Sequence, residues 1–169
     1  MILPKTKVPS LEVNLINGTR WAIDKQEPEN FTMIIFYRGL HCPVCKNYLE
    51  KLQPKLKDFS DKGVNVIAIS MDSEKRANLT AKKWDIESIP LGYEMTEDTA
   101  REWGLYISHA IKDEEPEVFS EPGLFLIRPD GTLYSASVQS MPFARPQFDA
   151  LLKSIDFVLE ESYPARGGK

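Results

Sequence analysis

The chain has 169 residues, of which 42% are hydrophobic, and this is enough for one compact domain with a real core. Its 21 basic and 25 acidic side chains give a formal net charge of -4, and no basic run could follow a phosphate backbone, which argues against nucleic acid as a partner. No stretch approaches the roughly 20 apolar residues that span a bilayer, and residues 1–7 lack the apolar core of a signal peptide. We therefore expect one cytoplasmic domain over residues 1–169, with no membrane partner.

The first elements of the chain are predicted to be strands. Residues 1–25 should contain a hairpin, because apolar and polar residues alternate on both sides of Asn17-Gly18, a favoured two-residue turn. The next segment, Phe31–Tyr37, is almost continuously apolar, as expected for a strand buried on both faces of a sheet.

A helix followed by a second buried strand is predicted next. Apolar residues recur at helical spacing from Pro43 up to Gly63, and these two residues suit the start and the end of a helix. Pro54 should kink or divide this helix near Gln53, since an interior proline removes one backbone hydrogen bond. Residues 64–70 then read as a strand, so strand, helix and strand together predict a right-handed crossover with two parallel strands.

The second half of the chain is predicted to add helices and one more hairpin. Ser73 and Thr96 can each cap a helix, and two strands within residues 124–138 should pair across a turn. The last helix should begin at Pro146, and the tail, residues 162–169, should be loose.

The only two cysteines, Cys42 and Cys45, lie where the first buried strand gives way to the helix. Unpaired backbone N–H groups and a partial positive charge at a helix start both favour a thiolate, which is the attacking form of a thiol. Two thiols three residues apart on a helix can also close a small disulfide ring. This pattern predicts redox chemistry without a cofactor or a metal, in which a thiolate attacks a peroxide or the disulfide of another protein.

Several neighbours of the cysteine pair are candidates for shaping the site or tuning the thiol pKa. Pro43 suits the first helical position. His41 would favour the thiolate if protonated, could relay a proton if neutral, or could be an ordinary surface ring. Arg38 could supply positive charge or only pair with an acidic neighbour at the surface. The alternatives to redox chemistry are two inert buried cysteines, or a zinc site that would need both His41 and His109 as further ligands.

The order of these elements resembles the thioredoxin fold over most of the chain. Within that fold, the N-terminal hairpin, the pair Phe36-Tyr37 and the segment Ala68–Ser73 resemble the peroxiredoxin branch, the family of alkyl hydroperoxide reductase and thiol-specific antioxidant proteins. The segment Pro122–Gly131 resembles the one that follows the active-site loop in both families. The resemblance implies an α/β, thioredoxin-like fold in which a central mixed sheet is flanked by helices and carries an N-terminal β-hairpin extension.

The resemblance can be set in two registers, which give the leading role to different cysteines. In the thioredoxin-like register Cys42 is the exposed attacking thiol, Cys45 resolves it, and Pro122 matches a cis-proline beside the substrate groove. In the peroxiredoxin-like register Cys45 attacks the peroxide and Cys42 replaces a threonine or serine. The chain departs from that register at two positions. The family carries a proline where this chain has Arg38, and it carries an arginine where this chain has Pro122. Arg145 is a weak candidate for that missing arginine. Expected exposure favours Cys42 as the attacker.

The residues and the resemblance together predict a thiol-dependent antioxidant oxidoreductase that reduces a hydroperoxide through Cys42 and Cys45 and is recharged by an external dithiol. A protein disulfide reductase and a redox-switched binding module remain as alternatives. An edge strand could also make a homodimer.

Overall fold

The structure, a computed structural model, describes residues 1–169 and contains nine strands and five α-helices. The strands are β1 (Glu12–Leu15), β2 (Arg20–Ala22), β3 (Phe31–Phe36), β4 (Val64–Ile69), β5 (Leu91–Tyr93), β6 (Ile107–His109), β7 (Val118–Ser120), β8 (Gly123–Ile127) and β9 (Leu133–Val138). The helices are α1 (Pro43–Leu52), α2 (Leu56–Asp61), α3 (Glu74–Lys83), α4 (Glu97–Glu102) and α5 (Phe148–Glu161). Seven strands form one mixed sheet in the order β2-β1-β5-β4-β3-β8-β9, and β6 pairs with β7 as a separate ribbon.

Strand β3 is the element that positions the cysteines. It pairs in parallel with β4 and antiparallel with β8, and all six of its residues are buried. This confirms the predicted crossover through α1, because two parallel neighbours cannot be joined by a tight turn. The chain therefore leaves the carboxyl end of a central strand just before it reaches the cysteines, the place where open α/β sheets usually build sites.

The predicted fold class is confirmed, and the N-terminal hairpin is continuous with the main sheet. Strand β1 pairs antiparallel with β2 across a turn at Gly18 and also pairs with β5. The sheet buries apolar side chains on both faces, with α1, α2 and α5 packed on one core and α4 on the other. The first of these cores contains both cysteines.

Proline and capping residues in the sequence correctly predicted several helix boundaries. Helix α1 ends at Leu52, a 3-10 turn spans Gln53–Lys55, and α2 follows, so Pro54 divides the helix as predicted. The side chains of Ser73 and Thr96 accept hydrogen bonds as the N-caps of α3 and α4, which confirms both predicted caps.

Two expectations for the C-terminal part are wrong. Helix α5 begins at Phe148, two residues after Pro146, with Gln147 in the N-cap position. The tail is anchored, because Ala165 is 3% exposed within the core and the hydroxyl of Tyr134 donates a hydrogen bond to the Tyr163 carbonyl at 2.9 Å. None of the helices has the length and apolar character that a membrane crossing would require.

Candidate active site

A buried carboxylate holds the loop between β3 and α1. Asp72 is 2% exposed and accepts hydrogen bonds from the Leu40 backbone N–H at 2.8 Å and from Arg76 Nε at 3.1 Å. Gly39 has φ +131°, and a Cβ there would lie 2.6 Å from the Asp72 carboxylate oxygens, so only glycine fits this position. Sequence reasoning missed Asp72, since an acidic residue just before a helix looks like ordinary surface.

The first turn of α1 carries both sulfurs. Cys42 is the N-cap, Pro43 opens the helix, and Cys45 sits three residues after the cap. The backbone N–H of Cys45 donates to Cys42 Sγ at 3.2 Å, so a sulfur atom does the capping that a serine or threonine oxygen usually does. The predicted position of the pair at a helix start is confirmed.

The expectation that Cys42 is exposed is wrong. Cys42 is 2% exposed and Cys45 is fully buried, because the Cys42 side chain turns inward to cap the helix. Both thiols are free and lie in the core on one face of the sheet. Exposure therefore does not distinguish the two cysteines.

Electrostatics does distinguish them. Burial by itself raises the pKa of the Cys45 thiol, but the hydrogen bond from Cys42, the charge of Arg145 and the backbone N–H of Arg38 outweigh it and bring the pKa to about 7. The pKa of Cys42 is raised, first by its side-chain hydrogen bond to Cys45 and then by burial. The two shifts favour a Cys45 thiolate beside a protonated Cys42 thiol.

Arg145 is the cation at the sulfur. Its Nη2 lies 3.5 Å from Cys45 Sγ, and its guanidinium carbon lies 4.4 Å from the centre of the Tyr48 ring. The second terminal nitrogen, Nη1, is buried and has no hydrogen-bond partner in the protein. A buried donor without a partner next to a thiolate is suited to bind an oxygen atom of a ligand.

A groove leads from the surface to Arg145. It has a volume of about 280 Å³ and lies between α1 and residues 142–148. Its walls include Val44, Tyr48, Phe143, Arg145 and Phe148. The groove has a mixed lining that also includes Asn47, Lys51 and Gln147, and the Arg145 guanidinium in its wall is the group next to Cys45.

The guanidinium of Arg38 is paired with the carboxylate of Glu121. Its guanidinium donates two hydrogen bonds of 2.7 Å to the two carboxylate oxygens of Glu121, whose side chain is 2% exposed, and it lies over the Phe119 ring at 5.2 Å. Glu121 also accepts a hydrogen bond from the Ser108 hydroxyl at 2.7 Å. Arg38 therefore pairs with an acidic neighbour, as one alternative predicted, but the carboxylate of the pair is buried and the guanidinium is partly buried.

The remaining sequence candidates stand apart from the sulfurs or adopt another geometry. His41 packs against Phe119 with ring centroids 4.6 Å apart, and burial lowers the pKa of its imidazole, which favours the neutral ring. Pro122 is buried beside β8, but every peptide bond in the chain is trans, so the expected match to a cis-proline is wrong. His109 is exposed on β6, and the chain contains no group of three or more His, Cys, Asp or Glu side chains that could hold a metal.

The fold and the paired sulfurs define a thiol oxidoreductase of the peroxiredoxin-like class. The sequence profile of the AhpC/TSA family matches residues 4–136, and the chain belongs to this family. It is therefore an enzyme of the peroxiredoxin type, with a thiol-dependent antioxidant function.

Relatives and solved structures agree with this assignment. The chain is 24% identical over 165 residues to alkyl hydroperoxide reductase C of Helicobacter pylori strain J99, covering 94% of this chain and 78% of that protein. It is 26% identical over 151 residues to a thioredoxin peroxidase of Trypanosoma brucei rhodesiense, covering 84% and 72%. Its fold is similar to that of Enterococcus faecalis AhpC, with a TM-score of 0.76, 19% identity and coverage of 98% and 99%. The reduced 2-Cys peroxiredoxin of Plasmodium vivax gives a TM-score of 0.75, 17% identity and coverage of 95% and 99%.

Proposed function

We propose that this chain reduces hydroperoxides with Cys45 as the attacking thiolate and Cys42 as the resolving thiol. The observation that carries the proposal is the guanidinium of Arg145, 3.5 Å from Cys45 Sγ and with one donor still free. A pKa of about 7 for Cys45 supports the same assignment, since a substantial fraction of the thiol is then ionised at neutral pH.

The first step is attack by the Cys45 thiolate on the terminal oxygen of the hydroperoxide. A sulfur–oxygen bond forms, the oxygen–oxygen bond breaks, and an alkoxide or hydroxide leaves and takes up a proton. Sulfur loses two electrons to the peroxide and becomes a sulfenic acid. Arg145 stabilises the negative charge that develops on the leaving oxygen, because a donor fixed in advance needs no reorganisation in the transition state.

The second step is attack by Cys42 on the oxidised sulfur. The Cys45 anion is one cause of the raised pKa of Cys42, so that contribution disappears when Cys45 becomes a neutral sulfenic acid. The disulfide forms, water leaves, and the ring closes within one helical turn. An external dithiol then restores both thiols by two successive thiol–disulfide exchanges.

The partners that complete this cycle are part of the proposal. The cycle needs a supply of reducing dithiol, which supports a reducing compartment such as the cytoplasm. A homodimer through the edge of β9 beyond Leu133 is the assembly that we propose, because β9 is a terminal strand of the main sheet and the N-terminal segment bonds only to Leu133 on that strand. The burial of both sulfurs argues against a protein disulfide reductase, whose bulky substrate must reach the attacking atom.

The test is stopped-flow oxidation by hydrogen peroxide of the wild type and of Cys42→Ser and Cys45→Ser separately. Cys45→Ser should abolish the first attack. Cys42→Ser should keep it and stop at a sulfenic acid that dimedone traps. The reverse result would exchange the two roles, and a wild-type rate constant no higher than that of a free thiol would remove the peroxidase function.

A further inference from the structure

The positive charge of Arg145 is not offset by a carboxylate, since none is paired with it. Its only side-chain hydrogen bond is the one from Nη2 to Cys45 Sγ, and the group that supports the guanidinium is the ring of Tyr48, 4.4 Å away. A carboxylate would hold the guanidinium but would also cancel much of its field at the sulfur. An aromatic face attracts a cation without neutralising it.

Tyr48 is fixed on three sides. It lies on α1, one turn after Cys45, and its hydroxyl donates to the Pro146 carbonyl at 2.5 Å. Its other ring face stacks on Phe148, with centroids 4.4 Å and planes 24° apart, and Phe148 is 4% exposed. Burial raises the pKa of the Tyr48 hydroxyl, so the group remains a donor at neutral pH.

The loop that carries Arg145 has a conformation that requires support. Ala144, the preceding residue, has φ +56°, in the left-handed region that residues with a Cβ rarely adopt. Such strained backbone persists only where surrounding contacts hold it in place. The ring under Arg145 and the hydrogen bond from Tyr48 to Pro146 are contacts of this kind, at the two residues that follow Ala144.

We propose that Tyr48 is a positioning residue, which holds the Arg145 guanidinium against Cys45 through its ring face while leaving the charge of Arg145 available to the sulfur. The inference rests on the proposed function, in which Cys45 attacks and Arg145 assists. Tyr48 itself does not touch the reacting oxygen in this assignment.

The experiment measures the pKa of Cys45 from the pH dependence of alkylation by iodoacetamide, together with the peroxide rate constant at pH 7. Tyr48→Leu removes the ring, so the pKa should rise by roughly half to one unit and the rate constant should fall about 3- to 10-fold. Tyr48→Phe keeps the ring and should stay within about twofold of the wild type, because only the hydrogen bond to Pro146 is lost. Tyr48→Met, of similar bulk, replaces Tyr48→Leu if the latter does not fold.

The chain offers a matched control at Tyr134. Arg128 lies over its ring at 4.8 Å, its hydroxyl donates to a backbone carbonyl at 2.9 Å, and Phe31 lies beside it at 5.1 Å. Tyr134→Leu therefore removes the same kinds of contact away from the cysteines. It should lower the free energy of unfolding and leave the pKa of Cys45 unchanged.

The outcomes separate this inference from the proposed function. If Arg145→Met raises the pKa of Cys45 but Tyr48→Leu does not, the role of Tyr48 is wrong and that of Arg145 stands. If Arg145→Met changes neither the pKa nor the rate, the proposed role of Arg145 fails. The double variant should match Arg145→Met alone, since Tyr48 acts through that residue, and additive effects would contradict the inference.

Discussion

Two arginines lie near the cysteines, and the structure uses them in opposite ways. Arg38 is four residues from Cys42 in sequence, yet its guanidinium is bound by both carboxylate oxygens of Glu121 at 2.7 Å. Arg145 is 100 residues from Cys45 in sequence, yet it lies 3.5 Å from the sulfur, over an aromatic ring. Whether the charge of an arginine acts on the sulfur therefore depends on the group that the guanidinium already contacts, more than on the distance between the residues in sequence.

The two partners explain the difference in role. The buried carboxylate of Glu121 compensates the charge of the partly buried Arg38, so that Arg38 serves mainly to tie its loop to the segment between β7 and β8. The Tyr48 ring orients Arg145 without compensating it. The backbone N–H of Arg38 still lowers the pKa of the Cys45 thiol. The ion pair between the Arg38 side chain and Glu121 helps to hold this N–H in position.

The largest expected effect is on the reaction with peroxide. Arg145→Met should lower the second-order rate constant at pH 7 by about 100-fold or more, because it removes both the positive charge and the free donor. Arg38→Met should lower it by less than about 10-fold, through a looser loop. Stopped-flow oxidation measures both, with circular dichroism as the check on folding. Equal losses would show that the two arginines are not functionally distinct.

The next largest effect is on the free energy of unfolding, and it should follow from breaking the pair between Arg38 and Glu121. Glu121→Leu should lower the free energy of unfolding by about 2 to 3 kcal/mol, because it leaves the partly buried Arg38 guanidinium without its partner. Adding Arg38→Met should recover most of this loss. Urea denaturation measures each variant.

A surface pair provides the control for that prediction. The side chains of Arg20 and Glu12 form an ion pair but are 58% and 54% exposed, so Glu12→Leu should cost less than about 1 kcal/mol. If Glu121→Leu costs no more than Glu12→Leu, the Arg38 pair is not buried in the energetic sense, and the contrast with Arg145 weakens.

The pH dependence of the peroxide reaction should follow the ionisation of Cys45, and of the two arginines Arg145 should influence it more. Its thiol has a folded pKa of about 7, below the ordinary value of 9.0 that the unfolded chain should have. The peroxide rate constant should therefore rise about tenfold per pH unit below pH 7 and level off above it. Arg145→Met should move this profile to higher pH, and Arg38→Met should move it by less, because the Arg38 guanidinium is paired with Glu121.

The same pKa difference links pH to stability. A depressed folded pKa stabilises the native state above the unfolded pKa, and this contribution is lost as the pH falls through the folded pKa. The free energy of unfolding of the reduced protein should thus increase from about pH 7 to about pH 9. Cys45→Ser should remove that increase, and its persistence in the variant would assign it to another group.

The smallest effect is expected from the backbone next to Arg145. Ala144→Gly should relieve the left-handed conformation and raise the free energy of unfolding by up to about 1 kcal/mol, with less than a twofold change in rate. Ser162, also at positive φ but at the end of α5, is the control position, and Ser162→Gly should give a similar gain. A gain at Ser162 alone would show that Ala144 is not strained.

Much of the fold could be predicted because it follows local rules. The apolar run of β3, the proline that divides α1 from α2, and the capping side chains of Ser73 and Thr96 are each decided by a few neighbouring residues. The strands β5, β6 and β7 were not predicted, because each has three residues and depends on distant partners for its hydrogen bonds. Short strands carry little pattern of their own.

The same distinction between local and distant contacts holds for the candidate active site. The position of Cys42 and Cys45 at a helix start follows from their neighbours, and so does the role of Pro43. The inward turn of Cys42, the reach of Arg145 and the buried carboxylates of Asp72 and Glu121 depend on tertiary packing. The sequence shows Tyr48 only as one of the apolar residues of a helix. Its ring contacts with Arg145 and Phe148 depend on how residues 145–148 fold against α1.

The sulfur cap at the start of α1 has a consequence for the lifetime of the oxidised enzyme. In the proposed cycle the resolving thiol, Cys42, already contacts the first turn at Cys45, so no segment has to unfold before it can reach the sulfenic acid. A second peroxide molecule, which would carry Cys45 on to an irreversible sulfinic acid, must compete with a neighbour that is already in place. This geometry suits an enzyme that continues to work through bursts of high oxidant concentration.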